Sequence, residues 1–286
     1  MANLIRSAKS GSDWSKNELL AFNIRVASVN ATTFFGDSAL PPPSVSPTIL
    51  NNLNVPDVPL AKTDRLFFRY LRAVEHAGAE EATYVVDFAA FILRMMGYDD
   101  EDRSIYTKKE ISFVMAGQRV DANTDVCVMN DLDCLLPIQQ DRRFESAADD
   151  PEPQLIANAI AAFYQNNYRR RHVGLPTLPN KLIPGITMVG TAPIFYRIPV
   201  TEALVDSLIT ASFPAETVVL KFVPPVPDVQ RYVSDGMRPL ENRRVILQCF
   251  EAFKAGIVRL FLCLNTPHSC IVAELSHAKH LNKVVE

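Results

Sequence analysis

Asp125 stands at the head of the run Asp-Val-Cys-Val-Met, and the next apolar run, Cys134 to Ile138, leads into Gln139-Gln140-Asp141-Arg142-Arg143. Two acids at neighbouring strand ends can hold a divalent cation, which lowers the pKa of a bound water and screens charge on a phosphate. A basic side chain beside them positions that water or grips the phosphate. Upstream, Glu80, Glu81 and Asp87 lie on a segment with helical spacing. A helix with acids, a strand, a strand opening on aspartate and a third strand with a charged tip is an order suited to metal-assisted phosphodiester chemistry.

The surrounding pattern supplies elements to hold such a site. Thr63 to Ala77 and Glu80 to Met96 repeat apolar residues at helical period, as in Val85, Phe88, Ala89, Ile92, Leu93 and Met96. Gly78 and Gly97 stand where helices stop. Three runs rich in β-formers follow: Ile111 to Ala116, Asp125 to Met129 and Cys134 to Ile138. Gly117, Asn123, Asn130 and Asp131 separate them, so they read as a meander of adjacent strands. After Asp149-Asp150-Pro151, the segment Gln154 to Tyr168 is helical in period, acidic at its start and basic at Arg169-Arg170-Arg171. Ile186 to Val189, Ile194 to Ile198 and Thr217 to Val223 read as further strands, and Glu241 to Phe261 as a long final helix.

Residues 1–62 differ in character. Pro41, Pro42, Pro43, Pro47, Pro56 and Pro59 each fix φ and remove a donor, which predicts an extended arm with short elements. Leu19, Leu20, Phe22, Ile24, Phe34 and Phe35 need a surface to cover, so the arm is expected to pack on the core. Residues 63–286 then form a single α/β domain. The chain has 286 residues, 48% of them hydrophobic, enough for a core without disulfide or metal staples. Its net charge of -3 argues against a cationic field over the whole surface, so any contact with nucleic acid must be local. The five cysteines form no zinc-like spacing. With no signal-like start and no span of membrane length, the composition predicts an intracellular, cytoplasmic or nuclear protein without membrane contact.

The residues that carry a resemblance are Ala122-Asn-Thr-Asp-Val-Cys-Val128, Leu135-Leu-Pro-Ile-Gln-Gln-Asp-Arg-Arg143, Asp150-Pro-Glu-Pro-Gln-Leu-Ile-Ala157 and Ala159-Ile-Ala-Ala162. Phe34-Phe-Gly36, Leu40-Pro41, Pro184-Gly-Ile-Thr187, Gly190-Thr191 and Phe195-Tyr196 add to it. Over most of its length the chain resembles uncharacterised fungal proteins of basidiomycete type. Over the core alone, those resemble the PD-(D/E)XK superfamily of restriction-endonuclease-like folds. The resemblance implies a mixed central sheet flanked by helices, with Asp125 as the first metal-binding acid and Glu81 as an auxiliary metal-binding acid. It places Gln140 where the family has Glu or Asp, and Arg142 where it has Lys.

Both departures change the chemistry. A glutamine offers a neutral carbonyl in place of a carboxylate and attracts Mg²⁺, the cofactor the resemblance implies, less strongly. An arginine stays protonated and cannot act as general base, though it grips a phosphate bidentately. The expectation is therefore a degenerate site with Asp125, Gln140 and Arg142 at its centre. It would bind nucleic acid or a phosphorylated ligand, with Arg142, Arg143, Arg169 and Arg170 as a phosphate-binding patch. One rival is an active Mg²⁺-dependent nuclease that recruits Asp141, Glu81 or Asp87 as substitute carboxylate. Another is a non-catalytic scaffold for protein interaction.

Plainer readings stand beside these. Asp125 as a strand-entry turn residue, Glu80 and Glu81 as a solvated helix start, and Arg169 to His172 as a helix C-terminus complementing its dipole each account for the same residues. Asp141 joins Gln140's face only after a one-residue register slip. No glycine-rich phosphate loop and no GxSxG elbow is present.

Overall fold

The computed structural model describes residues 5–76, 83–100, 102–131, 133–140 and 150–265. After a short 3-10 turn at Gly11–Asp13, helix α1 (Lys16–Ala21) starts at a capping box in which Ser15 and Glu18 satisfy each other's end of the turn. Strand β1 (Ile24–Ser28) follows. Helix α2 (Ala31–Phe35) is N-capped by Asn30 and stopped by Gly36, whose φ of 85° a side chain would resist. Helix α3 (Pro47–Asn51) is capped by Ser46 and has Pro47 in its first turn, where the missing amide costs nothing.

Helices α4 (Lys62–His76) and α5 (Thr83–Met95) come next, then β2 (Ser104–Met115), β3 (Gln118–Met129) and β4 (Cys134–Gln140). Helix α6 (Pro151–His172) is N-capped by the Asp150 side chain, which accepts from the Glu152 amide. The chain closes with β5 (Asn180–Val189), β6 (Ala192–Thr201), α7 (Glu202–Thr210), β7 (Thr217–Phe222), α8 (Tyr232–Asp235) and α9 (Leu240–Asn265).

Among the described residues one sheet of seven strands runs in the order β1-β7-β6-β5-β4-β3-β2. It is mixed: β1 with β7 and β4 with β5 are parallel, and the other neighbours are antiparallel. Helices cover both faces. Helix α6, rich in small residues such as Ala157, Ala159, Ala161 and Ala162, lies close on one face, and Leu155 reaches the backbone at Gly185. The other face carries an aromatic cluster in which Phe34 of α2 stacks on Phe222 at 5.2 Å and on Phe253 of α9 at 6.1 Å. The α/β class with a mixed sheet flanked by helices agrees with the sequence. No helix among the described residues is long and apolar enough to cross a membrane.

Several elements differ from expectation. Within residues 5–62, Trp14, Phe22 and Phe34 are buried in the core, and the segment donates β1 as an edge strand of the sheet. Strands β2 and β3 extend through Thr107-Lys108-Lys109-Glu110 and Gln118 to Thr124, where no apolar alternation marks them. Helix α7 was not anticipated, although Thr201 N-caps it and Glu202 lies in its first turn.

The start of the chain is fastened to α9 by Arg243. This fully buried guanidinium donates to the carbonyls of Ile49 (3.0 Å), Asn52 (2.7 Å), Leu53 (3.3 Å) and Met237 (3.1 Å). It stands over the rings of Phe67 and Phe68, at 5.3 and 5.8 Å from their centroids. Burial pushes its pKa down to about 10, still far above neutrality, so the charge is retained and shared among carbonyl dipoles.

Candidate functional site

Asp125 lies on β3, 4% exposed, on the face that α6 covers. The antiparallel register that sets Val126 against Ile138 puts Gln139 directly across from it. The Gln139 side-chain Nε2 donates to Asp125 Oδ2 at 2.6 Å. Asn158, at the middle of α6, donates its Nδ2 to Gln139 Oε1 at 2.9 Å and to the carbonyl of Asn123 at 3.3 Å. The other carboxylate oxygen, Oδ1, accepts from Lys108 Nζ at 2.6 Å.

Lys108 belongs to edge strand β2 and has a left-handed backbone, φ 53°. Its neighbours Thr107 and Lys109 pair with Val126 and Thr124, so Lys108 is opposite Asp125 where the ladder is interrupted. A left-handed residue other than glycine costs on the order of 1 kcal/mol. The Lys108 side chain is 57% exposed, whereas that of Asp125 is 6% exposed. The assembly is therefore a polar chain that begins at a solvated ammonium and ends on a buried helix amide. Among the described residues, Asn158 Oδ1 has no hydrogen-bond partner. A Cβ on Gly11 would come within 3.4 Å of that atom and 3.0 Å of Ala122 Cβ, so a side chain there would crowd the first turn of the chain against this spot.

The same face continues toward β7. Gln139 is in register with Thr187 of β5, and Gly185, two residues away, pairs with Tyr196 of β6. Tyr196 in turn pairs with Lys221 of β7. The Tyr196 hydroxyl donates to Glu152 Oε2 at 3.0 Å, and Lys221 Nζ reaches the same oxygen at 2.8 Å. Burial, then the Glu152 charge, raises the Tyr196 phenol well above its ordinary range, so it remains a donor. Two polar clusters thus underlie α6, each with a buried carboxylate answered by a lysine.

The predicted site residues are distributed as follows. Asp125 is buried, but it is the eighth residue of β3 and does not open a strand as expected. Gln140 closes β4 in register with Met188, one position past the residue that faces Asp125. Arg142, Arg143 and Glu81, like the alternatives Asp141 and Glu80, lie outside the described residues. Asp87 is exposed on α5. Arg169 and Arg170 sit in the last turn of α6, eleven and twelve residues beyond Asn158. At the helical rise, that is about 16 Å or more along the axis. Arg170 Nε donates to the Pro176 carbonyl at 2.9 Å, and the backbone carbonyls of both arginines cap the helix end. The Arg170 guanidinium is thus engaged at the helix terminus, and the other two arginines of the expected patch, Arg142 and Arg143, fall outside the described residues.

Lys108, Gln139 and Asn158 were missed. Lys108 sits in a polar stretch with no apolar alternation, and Gln139 differs from Gln140 only by strand phase. The sole available sign was counting back from Asp125 through the Val126 to Ile138 pairing, which requires the register in advance.

Among the described residues, the donor set around Asp125 does not suit Mg²⁺. A hard cation wants several open oxygens, and here both Asp125 oxygens already accept short hydrogen bonds, one of them from a cation. Among the described residues no three His, Cys, Asp or Glu side chains converge. No family model matches this chain, and no curated protein matches it.

Proposed function

We propose that this chain is a nuclease-fold protein with a degenerate PD-(D/E)XK site, which binds nucleic acid or a phosphorylated ligand without efficient cleavage. The observation that carries the reading is the Asp125 carboxylate, held on one side by Lys108 and on the other by Gln139. A metal-nuclease centre needs this acid open beside a second carboxylate. Here the Gln139 amide, one residue before the family position at Gln140, stands beside the acid, and a lysine neutralises it. Metal activation of water loses its ligands in this arrangement, while a half-exposed cation remains to meet a phosphate.

The mixed α/β sheet with helices on both faces is compatible with the reading, and many other functions use such a scaffold. The experiment is direct. Purified protein is titrated with fluorescent single- and double-stranded oligonucleotides at several salt concentrations, with and without Mg²⁺ or Mn²⁺. Expected are salt-dependent binding, little effect of metal and intact oligonucleotides. Metal-dependent cutting that disappears in Asp125→Asn would replace this reading with an active nuclease, and absence of salt-dependent binding would leave only a scaffold.

A further inference from the structure

On α4 the residues Lys62, Arg65, Arg69, Arg72 and His76 recur at intervals of three, four, three and four. At 3.6 residues per turn they fall within about 80° of one another, in a stripe roughly 21 Å long. All five are exposed, while Asp64, Phe67, Phe68 and Leu71 of the same helix are buried. No acid of α4 falls inside the stripe. Among the described residues, none of the four Lys and Arg side chains takes part in an ion pair.

Like charges three and four apart on a helix repel, so the arrangement is unfavourable unless something answers it. This occurs in a chain whose net charge is -3. Beside the stripe lies a groove of about 430 Å³, lined by Val55, Phe68, Ala73 and the side chains of Arg69, Arg72 and His76. The groove is on the helical layer away from Asp125: α4 packs on α3 and α5, whereas Asp125 is under α6.

We propose that this face of α4 is a binding surface for the phosphate backbone of a nucleic-acid strand. A linear array of cations complements a linear array of phosphates, and guanidinium forks suit phosphate oxygens. The groove favours this partner over an acidic peptide or an anionic membrane. Between two arginines it offers an apolar wall large enough for a base or sugar, a pairing of charge and flat apolar surface that a nucleotide presents. His76, exposed at the end of the stripe, has its Nδ1 tied to the Arg72 carbonyl at 2.8 Å. The proposal shares nucleic acid as ligand with the reading above but does not depend on the Asp125 site.

The test compares wild type with Arg69→Gln/Arg72→Gln and Arg69→Glu/Arg72→Glu by fluorescence anisotropy on single- and double-stranded oligonucleotides over a salt series. Because the stripe is exposed, the variants should melt within a few degrees of wild type, which circular dichroism checks. Expected is a loss of about tenfold or more in affinity. The slope of log K against log salt should fall by about 1.5 to 2 in the neutral double variant. Poly-glutamate and phosphatidylserine vesicles serve as competing partners, and tighter arginine-dependent binding to either overturns the proposal. Oligonucleotide binding unchanged in both variants also overturns it while leaving nucleic-acid binding elsewhere on the chain intact. No oligonucleotide binding by wild type defeats this surface outright. Metal-dependent cleavage with stripe-dependent affinity defeats only the reading of the Asp125 site.

Discussion

Gln139 and Asp125 face each other across β4 and β3, joined by a 2.6 Å hydrogen bond from the amide to the carboxylate. This pairing makes Asp125 a fixed part of the sheet. An amide at residue 139 keeps the buried acid from standing beside another negative charge, and Asn158 in turn orients that amide.

Removing Asp125 therefore strands a buried donor. Asp125→Ala should destabilise the protein by about 2 kcal/mol, chiefly through the unsatisfied Gln139 amide. The Lys108 ammonium can turn to water, so the ion pair adds little. Urea unfolding measures the loss. A double-mutant cycle with Gln139→Leu should show the two costs are far from additive, and simple additivity would contradict the pairing.

At Lys108 backbone and side chain pull in opposite directions. With φ at 53°, glycine should be the better small replacement, so Lys108→Gly should be about 1 kcal/mol more stable than Lys108→Ala. Thermal melts of the two variants decide it. Equal stability would mean that residue 108 relaxes out of the left-handed region once the lysine is gone.

Arg243 holds the start of the chain to α9 through several carbonyls. Arg243→Ala should cost about 3 to 5 kcal/mol, because it opens a cavity between Phe67, Phe68 and α3 and leaves carbonyls unpaired. Arg243→Lys should recover only part of this, since one ammonium cannot span the same acceptors. Limited proteolysis should show cleavage appearing first before residue 62 in both variants.

Acid should weaken two tethers of the same segment. Burial alone would raise the carboxyls of Glu18 and Glu251. Donors overcome it: Lys9 at 2.5 Å and Ser15 at 2.8 Å for Glu18, and Ser44 at 2.6 Å and Lys254 at 3.0 Å for Glu251. Both groups end below their ordinary value of 4.5. A depressed folded-state pKa contributes stability that is present above the ordinary value and is lost as pH falls through the folded one. The stability gap between wild type and Glu18→Gln/Glu251→Gln should thus be full at pH 7 and narrow below about pH 4.5. A gap that stays constant down to pH 3 would rule out these carboxylates as the cause.

Helix α6 was legible in the sequence because it is long, periodic, capped by Asp150 and closed by basic residues. Strands β4, β6 and β7 were legible because their apolar runs are short and bounded by turn residues. These are properties of contiguous residues, and local periodicity and capping report them directly.

What joins Asp125 was not legible. Lys108 is 17 residues away along the chain and Asn158 is 19 beyond Gln139. Their meeting depends on strand register, on a left-handed residue within β2 and on the angle at which α6 crosses the sheet. Register has a period of two, so a single-step error exchanges Gln139 for Gln140 and transfers the site to the opposite face. The sequence by itself determined an α/β chain with an acid at the head of an apolar run. Only the packed sheet decided which amide and which lysine answer that acid, because those contacts are set by the alignment of separate segments rather than by any one of them.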